Sequence, residues 1–204
     1  MKKSYPIQIW FFDDNLVTSA EYQTNKTLES SIRGCIQALL SSYFYMNGIR
    51  SQKFYKYYFD KDKIDIYLSE YFPYWPFKKK PSFALYNSKT SKWCRSCKEH
   101  FDIVKLYLEC LFNEYEYRFS KTHTMYDILD WFNTTPNKLP AVNLKTIIFP
   151  WKVINPRYRN KDICLSYRTT FLRRLTPETI FEEFKDTKRN IPDYVINYFK
   201  LDLN

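Results

Sequence analysis

"KWCRSCKEHFDIVKLYLECLFNEYEYRFS" (residues 92–120) decides how the rest of the chain is read. Phe101, Val104, Leu108, Leu111, Tyr115 and Phe119 recur at steps of three and four, which aligns them on one side of an α-helix. Neither Gly nor Pro interrupts the run, so the spacing predicts one continuous helix with a buried stripe. Its last part, with the residues just beyond, is "NEYEYRFSKTH" (113–123), and there charge and rings crowd together. Glu114 and Arg118 lie four apart and Lys121 lies seven from Glu114, which places all three on one face, with His123 just past the end. Two readings stand at this point. The guanidinium, amine and imidazole can receive a phosphate while the carboxylate orients the arginine or serves as a base. Alternatively, the stretch is a surface ion pair with a capping histidine.

The flanking sequence extends a helical pattern. Leu28, Ile32, Cys35, Ile36, Leu39 and Leu40 mark a helix over 27–46, stopped by Asn47-Gly48. Further helices are expected at 124–133 (Thr124 as N-cap, with Asp127 three residues on), 162–174, 177–186 (Thr176 as N-cap, Pro177 first) and 192–200. "YPIQIWFF" (5–12) alternates and is β-branched or aromatic, which predicts a short strand. Residues 13–26 read as a loop or a first helical turn, and 134–160 as a long Pro-broken connection. Residues 49–86 read as an aromatic, basic insertion or arm, and 176–204 as a C-terminal helical extension. The expectation is a mainly α, single helical domain over 1–204 with a short N-terminal strand.

Composition narrows the function classes. Lys and Arg exceed Asp and Glu by 32 to 22, giving a net charge of +10 that attracts polyanions. An AT-rich coding sequence would produce the same Lys and Tyr excess. Only 2 of 204 residues are Gly, and neither GxGxxG nor GxxxxGK[ST] occurs, which argues against Rossmann and P-loop enzymes. The 5 Cys are too few and too scattered for a disulfide scaffold, so a reducing compartment is expected. No signal peptide or membrane span is read from the sequence, so the expected location is cytoplasmic, in the host cell if the protein is viral.

Three other stretches bear on chemistry. "CRSCKEH" (94–100) is half of a zinc set, but it falls inside the helical pattern, where Cys94 and Cys97 fit a core, and no metal or cofactor is expected. "KFYKYYFDK" (53–61) and "YFPYWPFKKKP" (71–81) interleave rings with lysines, which suits stacked bases, an aromatic mini-core under an irregular loop, or a partner-binding surface. "PRYRNKDICLSYRTTFLRR" (156–174) sets a basic loop before a helix start near Asp162.

The pattern W-x-x-S…EYxYRxxKTH…P-x-Y-x…YR, with the opening "IWFFDDNLVTSA", resembles viral and phage proteins of the pyrimidine-dimer DNA glycosylase-like, endonuclease-five type. The likeness covers the first 40 residues and most of 87–175. It singles out Trp10, Asp13, Ser19, Lys26, Asn87, Trp93, Glu114, Tyr115, Tyr117, Arg118, Lys121, His123, Pro156, Tyr158, Tyr167 and Arg168. The chain departs from the pattern at Asn25, Arg33 and Ser88, where the family has Asp, Glu and His. The family's nucleophile is an N-terminal amine; here Met1 precedes Lys2, and no residue is carried over for that role.

Together these readings give three expectations. A glycosylase/lyase-like enzyme would use Glu114 and His123 for acid–base work, with Glu21 as a further carboxylate. Lys26, Arg118, Lys121, Arg159 and Arg168 would hold phosphates, and Tyr115, Tyr117, Tyr158 and Tyr167 would stack bases. A protein whose catalytic positions have decayed would bind nucleic acid or a nucleotide through the same groups. A viral interaction factor would meet a host protein through its aromatic arm.

Overall fold

A computed structural model describes residues 8–51, 72, 75–77, 86–143 and 161–200. Among these the chain is mainly α, with eight helices: α1 (Leu16–Glu21), α2 (Asn25–Met46), α3 (Lys89–Cys94), α4 (Lys98–Phe119), α5 (Ile128–Thr134), α6 (Ile163–Leu172), α7 (Pro177–Phe184) and α8 (Asp193–Phe199). The chain groups into two compact units. One comprises Met1–Gly34, Leu106–His123 and Ile148–Asn204; the other comprises Cys35–Lys105 and Thr124–Ile147. The long helices α2 and α4 contribute residues to both. Most of 49–86 lies outside the described residues.

The expected helix over 92–120 is two helices. Lys98 N–H donates to Pro140 O at 2.9 Å instead of continuing the ladder, and Ser96 Oγ turns back to Trp93 O at 2.7 Å. From Lys98 onward the stripe holds, with Phe101, Val104, Leu108, Leu111 and Tyr115 buried and Phe119 half-buried. All six predicted apolar positions of α2 are buried. Its stop is the one expected: Gly48 takes φ 75°, and Ile49 N–H reaches back to Phe44 O at 2.9 Å. Asp162 caps α6 by accepting from Leu165 N–H, and Pro177 opens α7 after Thr176. The helix expected from 124 begins at Ile128 instead. Residues 124–127 form a turn, and Asp127 makes no side-chain cap.

No strand occurs among the described residues. Residues 8–12 are not helical and have no strand beside them; their backbone donors go to helix hydroxyls. Gln8 N–H donates to Ser30 Oγ (3.1 Å), Trp10 N–H to Ser31 Oγ (3.2 Å) and Phe12 N–H to Ser19 Oγ (2.9 Å). Trp10 O accepts from Tyr107 Oη (2.6 Å) and Gln23 Nε2 (3.0 Å). The expected strand is thus not formed: donors at every second residue are bonded as along a strand edge, but their acceptors are side-chain hydroxyls, and Ile9 to Phe12 are all buried rather than alternately exposed. Gly34 lets the segment approach α2, because a Cβ there would stand 3.0 Å from Gln8 C and Ile9 Cγ1.

The first unit buries Trp10, Phe11, Phe12, Tyr107, Tyr167 and Phe171, with Phe11 and Tyr107 stacked at 4.9 Å. The second is centred on Tyr43, Phe44, Phe72 and Trp131, with Phe72 and Trp131 nearly parallel at 5.6 Å. Burying each such ring contributes about 1.5–3 kcal/mol.

Candidate nucleic-acid interface

The C-terminal end of α4 carries the crowded stretch, and its geometry divides the predicted site. Glu114 and Arg118 are not on the surface: they are 4% and 3% exposed. Arg118 Nε donates to Glu114 Oε1 at 2.6 Å. Its Nη1 reaches Gln23 O (2.8 Å) and Asn25 Oδ1 (3.2 Å), and its Nη2 reaches Glu21 O (3.1 Å). Those carbonyls lie at the end of α1, where helical acceptors lose their partners and a cation is favoured. Burial pulls the Arg118 guanidinium below its ordinary value, and the Glu114 hydrogen bond opposes this. Arg118 is thus engaged through all three of its nitrogens inside the protein and is not placed to hold a phosphate.

Glu114 is held from a second side. Arg189 donates from Nε to Oε1 (3.1 Å) and from Nη2 to Oε2 (2.8 Å), and the same Nη2 lies 3.2 Å from the Glu21 carboxylate. Both Glu114 oxygens therefore accept from guanidinium groups. Contact with Glu114 raises the Arg189 pKa above its ordinary value. Arg189 also lies 4.2 Å from the ring centre of Tyr117, which is 50% exposed. Lys188 Nζ donates to Tyr117 O (3.2 Å) and to Ser120 Oγ (3.3 Å) at the end of α4. Lys121 is exposed beside Phe119, 6.0 Å from its ring centre. The surface of this region thus presents one exposed ring among three cations.

The remaining predicted residues scatter. His123 Nε2 stands 3.7 Å from Glu29, with its ring packed edge-on to Tyr115 at 4.7 Å. The His123 imidazole beside it lowers the Glu29 pKa. Tyr115 is buried between His123 and Phe119. Tyr167 is fully buried against Trp10 and Phe11, so it offers no face to a base. Lys26 is paired with Glu183. Arg168 bonds Phe12 O (2.6 Å) and Asp13 Oδ2 (2.7 Å) and lies over the Tyr194 ring at 5.0 Å. Asp13 and Arg168 thus meet although they lie far apart in the chain. Tyr158, Arg159 and Pro156 lie outside the described residues.

The three departures from the family pattern have structural employment. Asn25 bridges Arg118 and Asp186 O, Arg33 Nε bonds Glu29 O, and Ser88 caps α3. Sequence reasoning missed Arg189 and Gln23, because nothing in local spacing joins them to Glu114 or Arg118. Cys94 and Cys97 are buried, and burial pushes the Cys94 thiol up to about 12. His100 stacks on Trp93 at 4.2 Å. Among the described residues no three potential ligands converge on a metal position. No helix among them is long and apolar enough to cross a membrane.

Comparison with known protein families, with characterised proteins and with solved structures gives no match.

Proposed function

We propose that the protein binds nucleic acid at an unpaired base, as a relative of the glycosylase-like proteins it resembles in which Glu114 performs no acid–base step. One observation carries this reading. Tyr117 is an exposed ring backed by the Arg189 guanidinium, and that guanidinium is anchored on buried Glu114 and on Glu21. The ionic cluster thereby braces a surface ring, while Lys188 and Lys121 supply cations for the strand's phosphates. A general acid or base needs a carboxylate within reach of substrate, and both Glu114 oxygens are engaged below the surface.

The test is binding of a labelled single-stranded oligonucleotide by Tyr117→Ala. Losing one stacked base weakens binding roughly 5- to 150-fold. The unfolding midpoint should hardly move, because the ring is half in solvent. Unchanged affinity, or a flat dependence of log K on log salt in the parent protein, would overturn the reading. A borohydride-trapped adduct with abasic DNA would restore the lyase.

A further inference from the structure

We propose a second phosphate-binding site in the unit formed by Cys35–Lys105 and Thr124–Ile147, made by Arg50 and Arg95 around Tyr45 and taking the phosphate ester of a nucleotide. It goes beyond the Tyr117 reading, since it uses other residues in the other unit. The Gly48 stop folds the chain back at the end of α2, and buried Ile49 anchors the next residue. Arg50 therefore comes to rest with Cζ 4.8 Å from the Tyr45 ring centre, five positions earlier. Arg95 reaches the same ring at 5.6 Å and the Tyr86 ring at 4.0 Å. Its Nη1 is fixed by Ser41 Oγ (2.8 Å) and by Tyr86 O.

The charge balance is what points to an anion. Arg118, Arg168 and Arg189 each sit on a carboxylate. Among the described residues no carboxylate pairs with Arg50 or Arg95; the groups that hold them are rings, a hydroxyl and a carbonyl. Arg95 is half-buried, and burial pulls its guanidinium below the ordinary value. Arg95 uses only Nη1 among the described residues, and Arg50 makes no hydrogen bond there, which leaves planar donor edges for oxyanions. Two cations held on one exposed ring, with no carboxylate paired to either among the described residues, suit a ligand that brings its own negative charge. Tyr45 is 37% exposed.

Arg50→Gln is the decisive variant, because Arg50 is exposed and its loss breaks no hydrogen bond in the described structure. Three probes separate the sources of the phosphate: a single-stranded oligonucleotide, a nucleoside monophosphate and inorganic phosphate. A strand-borne phosphate predicts oligonucleotide binding weakened several-fold, with the salt slope reduced by about 1. A free nucleotide predicts that the nucleoside monophosphate, and not inorganic phosphate alone, raises the unfolding midpoint of the parent and no longer does so in Arg50→Gln. The site is refuted if Arg50→Gln leaves all three probes unchanged. Tyr117→Ala is measured alongside. A loss confined to Tyr117→Ala sinks this site and leaves the first; a loss confined to Arg50→Gln does the reverse.

Discussion

The two units solve burial in opposite ways. The centre of one, at Tyr43, Phe44, Phe72 and Trp131, is ring against ring. The other adds to its aromatic core a buried carboxylate held by two guanidiniums, with three backbone and amide oxygens completing Arg118. An aromatic centre tolerates imperfect replacement because area and volume dominate. An ionic centre does not, because removing one partner strands the others without solvation. A costly arrangement of this kind needs a use, and the use proposed is to hold Arg189, and through it Tyr117, in place.

Arg118→Ala should break the ionic centre hardest. It removes one of the two guanidiniums on buried Glu114 and the donors to the carbonyls of Glu21 and Gln23, at a cost of about 3 kcal/mol. Urea unfolding measures this; a change below about 1 kcal/mol would mean that the cluster is a surface pair after all. Phe72→Leu should cost less, about 1–2 kcal/mol, because a smaller apolar side chain still fills much of the space. If the Phe72 variant were the more damaging of the two, the contrast would be reversed.

The smallest effect concerns acid. Glu29 has its folded pKa lowered by the neighbouring His123. A lowered carboxylate pKa stabilises the fold above the unfolded value, and that contribution disappears as pH falls through the folded value. Glu29→Gln should therefore remove a small share of stability at neutral pH and flatten the acid limb of the unfolding midpoint against pH. An unchanged acid limb would show that the His123 contact is idle. Glu29 is too exposed for a large effect.

Sequence pattern made the helices legible wherever apolar spacing, caps and breakers agreed, as in α2 with Gly48 and α6 with Asp162. It failed where a partner is remote in the chain. Glu114 and Arg118 show the i,i+4 spacing of an exposed pair, and nothing nearby in sequence announces Arg189 or the carbonyls that draw them inside. "IQIWFF" is rich in the β-branched and aromatic residues that favour an extended backbone, but that composition cannot say whether the acceptors of its N–H groups lie on a strand or on a row of hydroxyls. Arg50 and Arg95 escaped notice for a similar reason: a shared ring leaves no motif.

The hydroxyl-bound segment at 8–12 has a consequence for self-association. Its run Ile9-Trp10-Phe11-Phe12 is the kind of uncharged, extended stretch that templates intermolecular sheet growth when its backbone is open. Here the Trp10 and Phe12 donors are used on Ser31 and Ser19, and all four side chains are buried. These two donors are therefore closed to a neighbouring strand. Ser19, Ser30 and Ser31, small polar residues that attract little notice in the sequence, thus occupy backbone donors that an intermolecular sheet would need.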